Sequence, residues 1–126
     1  MPRVLVVDDD ETMVAFIERV LVDAGHDVVA ATRPDAALAR ADAGERFDLA
    51  VLDVVMPHLS GDMLAARLRQ HDPDLPVLYV TGFDEALFQA RPVLWNRESF
   101  LEKPFTIQAL LEAVAMALFG RTSPPV

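Results

Sequence analysis

The chain has 126 residues, 20 acids against 11 bases, and no cysteine. That length suits a single domain able to bury roughly two thirds of its unfolded surface. A net charge of −9 repels phosphate backbones and argues against direct nucleic-acid binding, and the missing cysteines exclude disulfides, thiol chemistry and Cys-based metal sites.

The segment from Met1 to Val7 is short and runs straight into acids, unlike a secretory signal. No apolar stretch approaches the ~20 residues of a membrane helix, so the expectation is a soluble cytoplasmic chain without membrane contact. Arg3–Val7 (RVLVV) is a β-branched run ending abruptly at Asp8 and reads as a buried strand. Glu11–Ala24 places Met13, Phe16, Ile17, Val20 and Leu21 on one helical face, with Gly25 suited to the position just past the helix end. Asp27–Ala31 is a second strand and Asp35–Ala43 a weak, Ala-rich helix stopping before Gly44. Phe47–Leu52 is a third strand, ending at Asp53. Met56–Gly61 is a loop and Asp62–Gln70 a helix. Leu75–Val80 is a fourth strand, ending at Thr81-Gly82, and Asp84–Ala90 a short fourth helix cut off by Pro92. Ser99–Glu102 is a fifth strand, ended by Lys103-Pro104. Thr106 then caps a last helix with Ile107, Leu110, Leu111, Val114 and Leu118 on one face, and Arg121–Val126 reads as a frayed tail.

Five apolar strands alternating with five helices predict an α/β fold: a doubly wound, five-stranded parallel sheet flanked by five helices, in one domain over 1–120 with a tail at 121–126. In such sheets ligands bind beyond the carboxyl ends of the strands. That rule selects Asp8 and Asp9 after the first strand, Asp53 after the third, Thr81 after the fourth and Lys103 after the fifth. Three carboxylates in one crevice call for a bound hard cation or for protonation of one acid. Mg²⁺ suits such oxygen ligands. A lysine and a threonine hydroxyl in the same crevice suit phosphate oxygens, and an aspartate there could attack phosphorus to form an acyl phosphate.

The segments VLVVDDDE, VLDVVMPHLSG, LYVTGF and FLEKPF resemble, in order, the four signature segments of response-regulator receivers. Asp9, Asp53, Thr81 and Lys103 are successively 44, 28 and 22 residues apart, spacings that suit the family, and the resemblance runs from about Arg3 to Phe119. It implies a flavodoxin-like receiver fold and a phosphoprotein of two-component signalling. Asp53 would be the phosphoacceptor. Asp8, Asp9, Asp53 and the backbone carbonyl of Val55 would hold Mg²⁺, Asp8 acting mainly through water. Lys103 would contact the phosphoryl group, Thr81 would be the switch hydroxyl and Phe100 the switch aromatic. The implied partners are a sensor histidine kinase or histidine phosphotransfer protein, and a downstream protein meeting the fourth predicted helix, fifth strand and last helix. A phosphorylation-dependent homodimer is another form such an output takes. The chain would be an acceptor that catalyses its own phosphotransfer, not a turnover enzyme, and would serve either alone or within a hybrid histidine kinase.

The sequence departs from the commonest pattern in places. Val55 offers no polar side chain to position a hydrolytic water, which predicts slow loss of the phosphoryl group. Phe83 is bulky, Phe100 lacks a phenol hydroxyl, and the Arg91–Arg97 segment (RPVLWNR) suggests an altered fourth helix; Trp95 fits a partner anchor or a cover for that helix equally. Singly, each residue has a plainer explanation: a cap and dipole-matched first turn for Asp8–Glu11, a turn for Asp53 or Thr81-Gly82, solvation for Lys103, core packing for Phe100, Met56 and Met63. His26, His58 and His71 show no spacing for a transition metal. A strand-end aspartate could instead serve a phosphatase of the haloacid-dehalogenase-like kind, but Val55 stands where those enzymes need a second acid. No glycine-rich phosphate loop follows a strand. A receiver-like interaction module that never carries phosphate is the remaining alternative.

Overall fold

The computed structural model describes residues 1–82 and 98–120. Five strands, β1 (Arg3–Val7), β2 (Asp27–Ala31), β3 (Leu49–Asp53), β4 (Val77–Thr81) and β5 (Glu98–Glu102), form one parallel sheet in the order β2-β1-β3-β4-β5. Helices α1 (Glu11–Asp23), α2 (Pro34–Asp42), α3 (Gly61–Leu68) and α4 (Ile107–Ala115) cover it, and a π-helical turn, Met116–Gly120, extends α4. The described residues therefore hold four helices rather than the five expected. The helix expected at Asp84–Ala90, together with Phe83, Pro92, Trp95 and the tail at 121–126, lies outside them.

Local chemistry accounts for the elements. Asp10 caps α1 by accepting from the backbone N–H groups of Thr12 and Met13 at 3.0 and 3.4 Å. Gly25, at φ 98°, ends α1 in the left-handed conformation that glycine adopts without strain. Pro34 opens α2 one residue before the expected start, because a proline at the first helical position sacrifices no hydrogen bond. β4 begins at Val77 rather than Leu75 because Pro76 has no N–H to give the ladder, although its carbonyl accepts from Ala50 at 3.0 Å. Thr106 caps α4 by accepting from Ala109 at 3.0 Å.

Alternate side chains of the sheet feed two cores. Leu5, Leu52, Val54 and Tyr79 pack with Leu64, Ala65 and Leu68 of α3 and Ala37 and Ala41 of α2. Val4, Val6, Val51, Leu78 and Val80 pack with Ile17 and Leu21 of α1 and Leu110 and Val114 of α4. Each fully buried Leu or Val contributes about 1.5–3 kcal/mol. β3 and β4 are buried throughout and β1 nearly so, whereas the edge strands β2 and β5 are largely half-exposed. The carboxyl ends of β1, β3 and β4 thus lie in the most deeply buried part of the sheet. Among the described residues no helix is long and apolar enough to cross a membrane.

Candidate functional site

Asp8 follows β1, Asp53 ends β3, Thr81 ends β4 and Lys103 follows β5, so parallel pairing gathers residues scattered over the whole sequence at one edge. Carboxylate oxygens of Asp8, Asp9 and Asp53 lie within 4.8 Å of one another. Asp8 and Asp53 are buried, Asp9 is exposed, and Thr81 is buried at the end of β4. Lys103 reaches into the group: its Nζ donates to Asp8 Oδ2 at 3.0 Å and stands 3.8 Å from Asp53 Oδ1. The backbone N–H of Lys103 donates to the Thr81 carbonyl at 2.9 Å, which holds the start of the lysine loop against β4. The other oxygen of Asp8 accepts from the Asp10 N–H at 2.9 Å, joining the site to the cap of α1.

The electrostatics follow from this crowding. Burial and the charge of Asp8 push the Asp53 carboxyl up to about 7, with Asp9 adding to the rise; Lys103 and the Val55 backbone N–H oppose it. One cation does not balance three carboxylates.

Phe100 lies on β5 opposite Tyr79 and packs, half-buried, against the α2/α3 core. The Val55 side chain is half-exposed beside Asp53. None of the three histidines joins the carboxylate cluster; His71 Nε2 lies 2.8 Å from Asp42, and His58 occupies a left-handed turn at φ 72° in the loop after β3. The structure also brings in Gly61, which the sequence reading left unassigned within its motif. The Gly61 N–H donates to the Val54 carbonyl at 2.8 Å. A Cβ there would collide with the Asp53 carbonyl oxygen and lie 2.9 Å from the Asp53 carbonyl carbon. The sequence reads Gly61 only as the last residue of a loop, whereas in the structure it is the first residue of α3.

The response regulator receiver domain family matches residues 4–115. The response regulator MprA of Mycobacterium sp. strain KMS is 38% identical over 122 residues, covering 97% of this chain and 52% of MprA. The alkaline phosphatase synthesis transcriptional regulatory protein PhoP of Bacillus subtilis is 35% identical over 104 residues, covering 82% of this chain and 43% of PhoP. The chain thus spans about half the length of these curated relatives. Among solved structures, a response regulator receiver protein of Sinorhizobium medicae superposes with a TM-score of 0.84 at 29% identity, over 96% of this chain and 97% of its own. The response regulator TrrA of Thermotoga maritima, solved in complex with Mg²⁺-BeF, gives 0.80 at 27% identity over 94% and 100%.

Proposed function

The chain belongs to the response regulator receiver family, and from that premise we propose that Asp53 takes a phosphoryl group from phosphohistidine on a sensor histidine kinase or histidine phosphotransfer protein. One observation carries the reading: three carboxylates and one lysine converge at the strand ends, with Lys103 Nζ 3.0 Å from Asp8 and 3.8 Å from Asp53. Asp8, Asp9, Asp53 and the Val55 carbonyl are the groups that would hold Mg²⁺, which supplies charge neutralisation for phosphoryl oxygens. An Asp53 oxygen attacks phosphorus; the P–N bond to the histidine breaks and the imidazole departs with the electron pair. Lys103 brings a positive charge to the oxygens of the group in transit and keeps Asp53 aimed. The product is an acyl phosphate on Asp53, and the chain is changed by the reaction, an acceptor rather than a turnover enzyme.

The new charge is then read by Thr81 and Phe100. Thr81 ends the strand next to β3 and would turn its hydroxyl to a phosphoryl oxygen, and Phe100, half-buried on β5, would repack as that hydroxyl moves. Phosphorylation so shifts an equilibrium between two conformations, and about 1–3 kcal/mol of coupling suffices to change affinity for a downstream protein at the β5 and α4 face. Dimerisation of the phosphorylated chain is a second output of the same face.

The test is to incubate the protein with Mg²⁺ and phosphoramidate and to record intact mass beside Asp53→Asn. The wild type is expected to gain one phosphoryl group and the variant none. No gain in a wild type with a native circular dichroism spectrum would favour the phosphorylation-independent interaction module. The half-exposed, apolar Val55 gives a further expectation. A Val55→Asn variant, able to hold a water near the acyl phosphate, should lose its phosphoryl group roughly three- to tenfold faster than wild type. A wild type that decays as fast as the variant would remove Val55 from the account of lifetime.

A further inference from the structure

At the opposite end of β5 from Lys103 sits a buried ionic cluster that the chemistry above does not use. The Glu98 side chain is 0% exposed and that of Arg69 11%. Glu98 Oε2 accepts from Arg69 Nη1 at 2.8 Å and from the Tyr79 hydroxyl at 3.0 Å. The remaining fork of Arg69, Nε and Nη2, donates to the Leu75 carbonyl at 3.1 and 2.8 Å. One guanidinium therefore ties the C-terminal end of α3, the approach to β4 and the first residue of β5.

The position of this cluster matters because among the described residues β5 pairs only with β4, and its apolar pattern does not fix how the two strands align. Phe100 packs on the α2/α3 core and Leu101 on the α1/α4 core. A slip of one residue would exchange them and still leave an apolar side chain on each face. Glu98 has no such substitute: Ser99, moved into its place, offers no carboxylate to Arg69 or Tyr79. The same slip would move Lys103 by ~3.3 Å and turn its side chain to the wrong face of the sheet. We propose that Arg69, Glu98 and Tyr79 are positioning residues that set the register of β5 on β4, and through it place Lys103 at Asp8 and Asp53 and Phe100 beside Tyr79. Buried polar groups fix register in this way where apolar packing is indifferent. The effect on phosphotransfer rests on the function proposed above; the effect on the placement of Lys103 does not.

Lys103 is the chain's only lysine, so ¹³Cε-lysine labelling gives one signal that reports its surroundings directly. The experiment compares wild type, Glu98→Leu and Arg69→Met/Glu98→Leu for melting temperature, the Lys103 signal and the phosphorylation rate with Mg²⁺ and phosphoramidate. Glu98→Leu removes the carboxylate that Arg69 Nη1 and the Tyr79 hydroxyl both donate to, and should melt below wild type. The double variant replaces the ion pair with apolar contacts and should recover most of that loss. Its Lys103 signal should nevertheless split or move towards that of lysine in unfolded chain, and its phosphorylation should slow by about tenfold or more. A double variant with the wild-type signal and rate would overturn the proposal and leave the cluster a stabilising role alone. Should the double variant not fold, Glu98→Leu alone, read below its melting temperature, removes the same acceptor, and an unshifted Lys103 there overturns the proposal equally. A wild type that takes no phosphoryl group refutes the proposed function, and the Lys103 signal still decides the question of register.

Discussion

Raising the pH of the metal-free protein from 5 to 8 is expected to cost about 1–2 kcal/mol of stability through Asp53 alone, and Mg²⁺ is expected to restore it. The Asp53 carboxyl lies at about 7 in the folded chain against 3.8 when unconstrained, chiefly through burial and the charge of Asp8. Between those values the folded state holds a proton that the unfolded state has released. Stability is therefore greatest near the lower value, falls as pH rises towards about 7, and levels off above it. The full shift would correspond to a larger figure, but water at the open mouth of the crevice screens part of it, since Asp9 is exposed and Lys103 is partly so. Urea unfolding of wild type beside Asp53→Asn isolates the contribution from every other titrating group. The variant should be the more stable of the two at pH 8 without metal, and the gap should narrow at pH 5. Saturating Mg²⁺ at pH 8 should raise the wild type and leave the variant nearly unmoved. Parallel pH profiles would mean that Asp53 ionises without strain and that the carboxylates do not act on one another as their spacing implies.

Much of this site could be read before the fold was seen, for a physical reason. Parallel strands buried on both faces must be continuous apolar runs, so RVLVV and the run ending at Leu52 declare themselves, and a polar residue closing such a run marks a strand end. Asp8, Asp53, Thr81 and Lys103 are polar groups of this kind, and the doubly wound order then places them on one edge. Strand boundaries were less legible, because backbone partners decide them. Phe47 is buried yet precedes β3, where Asp48 is occupied with the Arg3 N–H at 2.8 Å, and Pro76 delays β4. The contribution of α3 was not legible at all. Arg69 meets Glu98 across 29 residues and Tyr79 meets it across 19, with no periodicity to announce either contact. In sequence Glu98 is one acid among 20.

Gly61→Val is expected to destabilise the protein by about 2–3 kcal/mol and to impair phosphorylation of whatever remains folded. The reason is distance rather than backbone conformation, since Gly25 and Gly44 have positive φ and Gly61 does not. A Cβ on Gly61 would overlap the Asp53 carbonyl oxygen and stand 2.9 Å from its carbon and 3.0 Å from Val54 Cα. These are backbone atoms of the strand end that carries Asp53, and they cannot swing aside as a flexible side chain would. Relief requires either that α3 lift off, breaking the Gly61–Val54 hydrogen bond of 2.8 Å, or that Asp53 shift towards Asp8 and Lys103. Gly25→Ala is the control. A Cβ there meets nothing within 4 Å, so its cost is confined to the strained φ of 98°, about 1 kcal/mol. Gly25→Ala should therefore lower stability and leave the phosphorylation rate of the folded protein unchanged, whereas Gly61→Ala should reduce both. Equal behaviour of the two alanine variants, read by urea unfolding and by intact-mass time courses, would show that α3 does not hold Asp53 in place. Separation of the two would make α3 a strut with Gly61 seated on β3 at one end and Arg69 gripping β5 at the other.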